Sequence, residues 1–191
     1  MLPTKFTTKS ELISEFVINP ILQSESFLKI KVKNLRNINE NAITDELIRY
    51  LKYHSKYSHL YQTHIDVSVR YTQVNKTSIN NEPDIKFLIG EVTNKIVFEA
   101  KRLNPSSSES DYCGNEGFGR FLTGYYEINE YCGMLGYMQT GKIDIRIKKI
   151  QENLKNLDFV DFISLFSNCF QSIHENNKMK LKCYHLILDL R

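Results

Sequence analysis

The chain has 191 residues, of which 41% are hydrophobic and 25% charged, with a formal net charge of +3 at pH 7. This length suits one domain of ordinary size and is too short for two full enzyme domains. The apolar content excludes a chain that is disordered throughout. Because the net charge is small, any basic surface for binding nucleic acid must be local.

No apolar run approaches the ~20 residues of a membrane-spanning helix, and the N-terminal sequence lacks the apolar core of a signal peptide. We therefore expect a cytoplasmic protein that does not associate with a membrane. The four cysteines include no Cys-x-x-Cys pair, which argues against both a zinc knuckle and a disulfide framework.

Hydrophobic periodicity predicts an N-terminal extension over residues 1–35, with one or two strands, followed by a domain over residues 36–191. The first clear element is a helix over 40–55, capped by Asn39 or Asn41. The further predictions, in chain order, are a half-buried strand (64–74), a polar loop (75–82), a β-hairpin (83–90 with 95–103), a loop (104–117), a helix (118–130), a buried strand (132–141), a helix (142–156), a helix (158–174) and a terminal strand (182–190). This order predicts an α/β fold in which helices cover a central mixed sheet.

The residues best suited to chemistry lie on the predicted hairpin. Glu99 and Lys101 are two positions apart on a strand, so their side chains leave the same face, and Asp84 begins the neighbouring strand. If these strands pair, Asp84 and Glu99 converge at one end of the sheet. Two carboxylates beside an ammonium group form a site for a hard divalent cation, to which the backbone carbonyl of Ala100 can add an oxygen.

Such a cation neutralises phosphate charge and lowers the pKa of water, and Lys101 can orient or deprotonate that water. This is the equipment for phosphodiester hydrolysis. The alternative is a weak ion pair on a solvated strand face. Against it, the Glu-x-Lys pair interrupts an apolar run, where charges are costly unless they are paired or bind a metal.

The pattern Pro83-Asp84, followed fifteen positions after Asp84 by Glu99-Ala100-Lys101, resembles the PD-(D/E)XK nuclease superfamily with its restriction-endonuclease-like fold. In that family the motif lies on a β-hairpin preceded by a helix and a strand and followed by a helix and a strand. The predicted elements from about 40 to 140 follow this order, which covers roughly half of the chain. The motif is short, and the order of predicted helices and strands supports the resemblance more than the motif residues do.

The resemblance implies an Mg²⁺-dependent endonuclease acting on DNA, in which Mn²⁺ can substitute. It implies that Asp84 and Glu99 bind the metal and that Lys101 positions the attacking water. It also implies an acidic residue on the first helix, for which Glu40 is preferred and Glu46 is the competitor, and a later polar residue, for which Gln139 is the candidate. Small nucleases of this kind resemble components of restriction or anti-phage defence systems.

Two arginines are candidate substrate contacts. Arg102 directly follows Lys101, and Arg120 follows the glycines at 114, 117 and 119, whose amides suit a phosphate at a helix N-terminus. The alternative for the glycines is a flexible turn. The helix at 142–156 also has a basic face that can follow a nucleic-acid backbone, although such faces are usually only solvated: Lys142, Arg146, Lys148 and Lys149.

Three functions are therefore compatible with the sequence. The preferred one is an Mg²⁺-dependent nuclease that works with a protein partner or as a homodimer. The second is a catalytically inactive subunit of the same fold that binds nucleic acid or acts as a scaffold in a larger complex. The third is a structural domain with a surface network of Asp, Glu and Lys.

Overall fold

A computed structural model describes residues 6, 8–32, 39–69, 82–90, 95–103, 108–126, 128, 130–175 and 180–191. The strands are β1 (Ile65–Val69), β2 (Ile85–Ile89), β3 (Lys95–Leu103), β4 (Tyr131–Met138), β5 (Phe159–Phe166), β6 (Cys169–Glu175) and β7 (Lys180–Asp189). The helices are α1 (Lys9–Ile13), a π-helical segment (Ser14–Ile18), α2 (Asn19–Gln23), α3 (Glu25–Val32), α4 (Glu40–Tyr53), α5 (Ser58–Thr63), α6 (Ser108–Cys113), α7 (Gly119–Leu122) and α8 (Ile143–Leu154). Over these ranges, no helix is both long and apolar enough to cross a membrane.

The strands form one seven-stranded mixed sheet in the order β1-β2-β3-β4-β7-β6-β5. β1, β2 and β3 pair antiparallel, β3, β4 and β7 pair parallel, and β6 and β5 complete the sheet with antiparallel pairing. The predicted α/β class, with a central mixed sheet covered by helices, is confirmed.

The sheet separates two apolar layers. Apolar side chains of α1 to α5 pack on one face of the sheet, against side chains of β2 and β3. Those of α6, α7 and α8 pack on the opposite face. All four cysteines are buried and carry free thiols: Cys113, Cys132, Cys169 and Cys183. Each face of the central strands is thus apolar, as expected for parallel strands covered on both sides.

The hairpin that carries the motif lies inside the sheet, as predicted. β2 pairs with β3 through Ile85 opposite Phe98 and Phe87 opposite Ile96, and β3 pairs with β4 on its other side. Phe87, Phe98 and Met134 have no exposed surface, and Val97 is 3% exposed. Because both neighbours of β3 are fixed by buried side chains, the register of Glu99 and Lys101 is fixed as well.

Several predicted elements are confirmed with shifted ends. α4 begins at Glu40, where the Asn39 side chain accepts a 2.8 Å hydrogen bond from the amide of Ala42, so Asn39 is the cap. β4, α8 and β7 correspond to the predicted elements at 132–141, 142–156 and 182–190. In β1, Ile65 and Val67 are buried while Asp66 and Ser68 are exposed, as the alternation predicts. The rest of that strand and the loop that follows, residues 70–81, lie outside the described residues.

The strands predicted within residues 1–35 are wrong over the described part, which is helical from Lys9 to Val32. Thr8 forms a capping box with Glu11 at the start of α1. Ile13, Phe16 and Ile21 are at most 1% exposed and lie in the same core as the sheet. Tertiary burial of these apolar side chains stabilises helices that are individually too short to persist alone.

The helix predicted over 158–174 is also wrong, because this segment forms the antiparallel strands β5 and β6. Phe159-Val160-Asp161-Phe162-Ile163 is rich in aromatic and β-branched residues, which favour strands. Its sequence pattern resembles neither a buried helix nor an alternating strand. Because β5 is the edge of the sheet, several of its apolar side chains stay exposed: Val160, Ile163, Leu165 and Phe166.

Two predictions between β3 and β4 need correction. Residues 104–107 lie outside the description, but 108–113 form helix α6 rather than a loop. The long helix predicted over 118–130 is a single turn, α7, which ends before Gly124 with its φ of +74°. Arg146 is not part of a solvated basic face, because it is buried and donates a 2.6 Å hydrogen bond to Glu109 of α6.

Candidate active site

Asp84 is held against β3 by a backbone hydrogen bond. Its Oδ2 accepts a 2.8 Å bond from the amide of Ala100, two residues beyond Phe98, which pairs with Ile85 in the hairpin. Pro83 is compatible with this position because it precedes the strand and need not donate to its ladder. The predicted convergence of Asp84 with the Glu99-Ala100-Lys101 strand is therefore present.

Glu99 is the most enclosed charged group of the site, with only 1% of its surface exposed. Lys101 Nζ donates to Glu99 Oε1 over 2.9 Å, and Arg120 Nη1 donates to the same oxygen over 2.6 Å. The hydroxyl of Tyr126 donates to Oε2. Both oxygens of this buried carboxylate are thus bonded, as a charge in an apolar layer requires.

Glu40 reaches the same place from the first turn of α4. Its Oε1 lies 3.8 Å from Lys101 Nζ, and its Oε2 accepts a 2.9 Å hydrogen bond from the amide of Arg102. Glu46, the competing acid of the helix, pairs instead with Arg49 at 3.4 Å. The structure therefore brings Glu40 to the end of β3, and Glu46 is engaged elsewhere on α4.

Burial and the charge of Asp84 disfavour the ionised forms of two carboxyl groups of the site. Burial and the neighbouring charge of Asp84 raise the pKa of Glu99 to about 7, against the opposing effects of Lys101 and Tyr126. Burial also raises the pKa of Glu40, where Lys101 opposes the shift and Asp84 adds to it. Carboxyl groups whose ionised forms are disfavoured in this way form a site that an added cation would stabilise.

Arg120 lies inside the site and not at its rim. Besides Glu99, its Nη1 donates to Tyr126 Oη over 3.1 Å, its Nη2 donates to Glu116, and its guanidinium lies 5.3 Å from the centre of the Tyr125 ring. Although burial alone would lower it, the pKa of Arg120 is raised by the Glu99 carboxylate. In this state the guanidinium bonds to protein carboxylates, whereas the sequence predicts a contact with substrate phosphate.

The glycines before Arg120 are explained by close packing. A Cβ atom at Gly117 would lie 2.2 Å from the carbonyl oxygen of Tyr112, and one at Gly119 would lie 2.8 Å from that of Gly114. These residues let the chain turn tightly between α6 and α7, which aims Arg120 at Glu99. The turn interpretation of this glycine pattern therefore accounts for both positions.

The two remaining candidates are Gln139, beside the end of β3, and Arg102, within β3. Gln139 directly follows β4, and its amide donates a 3.4 Å bond to the carbonyl of Leu103 at the end of β3. Within the described ranges, no hydrogen bond joins the Gln139 side chain to Asp84, Glu99 or Lys101. The positive charge of Arg102 lowers the pKa of Glu40, opposing the effect of burial there.

Tyr126 and Glu116 also bond within the candidate site, although no pattern in the sequence marks them. Tyr126 is 27 positions from its partner Glu99, and Glu116 is 79% exposed, as an ordinary surface acid would be. The only sequence signal is that both lie within a few residues of Arg120.

The chain was compared with protein-family models, with curated proteins and with solved structures, and none of them matches. In the part of the chain that the structure describes, no three His, Cys, Asp or Glu side chains already stand in a metal-binding arrangement. The oxygen donors nevertheless suit Mg²⁺ chemically, since they include carboxyl groups at the end of a fixed strand whose ionised forms are disfavoured by burial and by the charge of Asp84. In the arrangement described, Lys101 and Arg120 donate to Glu99 Oε1, and the Tyr126 hydroxyl donates to Oε2.

Proposed function

We propose that this protein is a metal-dependent nuclease with a restriction-endonuclease-like core. One observation carries the proposal: Glu40, Asp84, Glu99 and Lys101, from three separate elements, converge at the carboxyl end of β3. The burial of these groups argues against the alternative of a weak ion pair on a solvated strand face, because Glu99 is buried and the Lys101 side chain is only 17% exposed.

The arrangement of elements supports the same proposal. α4 and β1 precede the hairpin, and α7 and β4 follow it, with β4 parallel to β3. This is the order that the resemblance to the PD-(D/E)XK superfamily leads us to expect. The remaining strands, β5 to β7, extend the sheet on the side away from the hairpin.

Each residue then has a distinct role. Asp84, Glu99 and the carbonyl of Ala100 would hold Mg²⁺ or Mn²⁺, and Glu40 assists from α4. When bound, such a cation neutralises phosphate charge and makes water more acidic. Lys101 lies between Glu40 and Glu99, so its ammonium can orient the attacking water and stabilise negative charge on the phosphate.

The proposed substrate is DNA, cleaved internally, within a restriction or anti-phage defence system of the cytoplasm. Arg102, Arg120 and Gln139 surround the end of β3 and are the proposed substrate contacts. A protein partner or a second copy of the chain would supply recognition of the target, since the described fold is accounted for by the sheet and the helices that cover it.

The direct test is cleavage of closed circular DNA by the purified protein with Mg²⁺ or Mn²⁺. We expect nicked and linear products from the wild type and none from Asp84→Asn. Asp66→Asn is the matched control, because Asp66 is an exposed carboxylate on β1, pairs with Leu88 and lies away from the site. Equal cleavage by wild type and Asp84→Asn would show that the products come from a contaminant or from another site.

The second candidate is a catalytically inactive subunit of the same fold that binds nucleic acid or acts as a scaffold. The pairing of both Glu99 oxygens with protein donors favours it, because such pairing can be a permanent structural network. It predicts that nucleic acid binds without cleavage under all metal conditions, and that Asp84→Asn leaves binding unchanged.

A further inference from the structure

Arg120 occupies the place beside Glu99 where a cation would be expected. Its Nη1 lies 2.6 Å from Glu99 Oε1, on the oxygen that also accepts from Lys101. Its Nη2 bonds to Glu116, whose side chain is 79% exposed. One guanidinium thus joins a buried carboxylate to an acid at the surface.

We propose that Arg120 is an exchangeable internal counter-ion. It neutralises Glu99 while no divalent cation is bound, and it leaves Glu99 when a cation binds. It then stays attached through Glu116 at the surface, where it can bind a substrate phosphate. The proposal rests on the proposed function, because it needs the metal site, but it adds a step that the metal site alone does not require.

The physical reason is the burial of Glu99. An ionised carboxylate with 1% exposure is costly to leave without a positive partner, so its charge favours a cation beside it whether or not a metal is bound. Arg120, Lys101 and a divalent ion cannot all share one carboxylate oxygen, because like charges at contact distance repel strongly in a poorly solvated site. Of the two side chains, Arg120 has the alternative partner at the surface, whereas Lys101 is held between Glu99 and Glu40.

The exchange couples two binding events. Metal binding frees a guanidinium for phosphate, and phosphate binding in turn withdraws a competitor from the metal site, so each ligand strengthens the other. Tyr126 fits this scheme as the fixed partner, because its hydroxyl donates to Glu99 Oε2, whereas Arg120 bonds to Oε1. Removing Arg120 should therefore improve metal binding while weakening phosphate binding.

The first test measures Mn²⁺ alone, without nucleic acid, by loss of the electron paramagnetic resonance signal of the free ion. We expect Arg120→Gln to bind Mn²⁺ about tenfold more tightly than the wild type. Arg49→Gln is the matched control, since Arg49 is a surface arginine paired with Glu46, and it should leave the affinity unchanged. An unchanged or weaker affinity in Arg120→Gln would overturn the exchange.

The second test makes its measurement on the wild-type protein, and a variant serves only to assign the signal. The side-chain Nε–H signal of Arg120, assigned by its absence from the spectrum of Arg120→Lys, should shift in step with Mg²⁺ occupancy. A signal that stays in place while Mg²⁺ binds would overturn the exchange.

The two proposals fail differently. If Mn²⁺ binds the wild type and Asp84→Asn weakens that binding, but Arg120 neither competes nor moves, the metal site stands and only the exchange is wrong. If Mn²⁺ does not bind the wild type at all, both are wrong.

Discussion

The carboxylate of Asp84 accepts a 2.8 Å hydrogen bond from the backbone amide of Ala100, so β3 itself positions the acid that begins the neighbouring strand. The carbonyl oxygen of an asparagine side chain could accept this bond equally well, but the methyl group of alanine could not.

We therefore predict that Asp84→Asn and Asp84→Ala differ in stability although both lose activity. Asp84→Asn should retain the bond and stay within about 0.5 kcal/mol of the wild type, whereas Asp84→Ala should lose about 1 kcal/mol more. Urea unfolding at neutral pH measures both. Equal unfolding free energies for the two variants would show that this hydrogen bond adds nothing to the fold.

Lys101→Ala is expected to separate metal binding from hydrolysis. Lysine cannot ligate the cation while it is protonated, so the variant should still bind Mg²⁺, but it should cleave DNA about 10² to 10⁴ times more slowly. Calorimetry and a cleavage time course measure the two effects. Loss of Mg²⁺ binding in this variant would contradict the division of roles between Lys101 and the carboxylates.

The raised pKa of Glu99, about 7, predicts that cation binding depends on pH. Cations bind the ionised carboxylate, so the affinity for Mg²⁺ should rise as pH increases through about 7 and then level off. Calorimetric titration with Mg²⁺ on both sides of this pH checks the expectation. An affinity that already levels off well below pH 7 would place the pKa of Glu99 lower.

The same pKa shift has an effect of opposite sign on the stability of the metal-free protein. The folded state holds a proton on Glu99 that the unfolded state releases, so the contribution of Glu99 is complete below the ordinary carboxyl pKa and is lost as pH rises through about 7. Relative to Glu99→Gln, the unfolding free energy of the wild type should fall by up to about 3 kcal/mol across this range. Measuring the unfolding free energy of both proteins over a pH series separates the contribution of Glu99 from that of the histidines, which both proteins share.

Arg120→Gln is expected to weaken nucleic-acid binding for every sequence. The measurement is best made in a Lys101→Ala background, which prevents cleavage while keeping the metal. With Mg²⁺ present, the slope of log affinity against log salt should fall by about one, because one phosphate contact is lost. An unchanged affinity and slope would mean that Arg120 serves Glu99 alone.

A buried chain of hydrogen bonds links α6 to β7 and β6, and it gives a prediction for the stability of the fold. His185 Nδ1 lies 3.1 Å from Tyr112 Oη and its Nε2 lies 2.7 Å from Ser172 Oγ, which in turn lies 2.9 Å from His174 Nε2. The last partner, the carbonyl of Leu157, can only accept, so His174 Nδ1 donates to it. With both rings neutral this fixes every proton: Tyr112 donates to His185, His185 to Ser172 and Ser172 to His174.

Ser172→Ala breaks this chain in the middle and leaves two buried ring nitrogens without partners. We expect a loss of about 2 to 6 kcal/mol in unfolding free energy, from about 1 to 3 kcal/mol for each of the two unsatisfied groups. Ser68→Ala is the control, because Ser68 is an exposed serine on a strand. A loss no larger than that of the control would indicate that water replaces the hydroxyl.

Local patterns predicted the central part of the molecule. Ile65 and Val67 alternate with polar residues, and the apolar runs around Phe87 and Phe98 end at turns, so the hairpin and its convergence of Asp84 with Glu99 follow from sequence. The resemblance implies an acid on the first helix, and Glu40 is preferred because it lies at the capped start of that helix. These features depend on spacing along one segment, which a sequence displays directly.

The features that were missed depend on partners far along the chain. β5 has apolar side chains whose exposure is decided by its place at the sheet edge, which the sequence does not show. The short helices near Phe16 are stabilised by packing on the sheet. The pairing of Arg120 and Tyr126 with Glu99 joins residues more than twenty positions apart, and no local pattern predicts it.

The burial of all four cysteines has a practical consequence for spectroscopy. None of the thiols is more than 5% exposed, and burial raises the pKa of both Cys113 and Cys169 to about 12. Thiol reagents attack the ionised form, so the native cysteines should stay unlabelled while the protein is folded. A single new cysteine at the exposed position of Asn115, close to Arg120, could then carry a fluorophore and report movement of the guanidinium in an otherwise native chain.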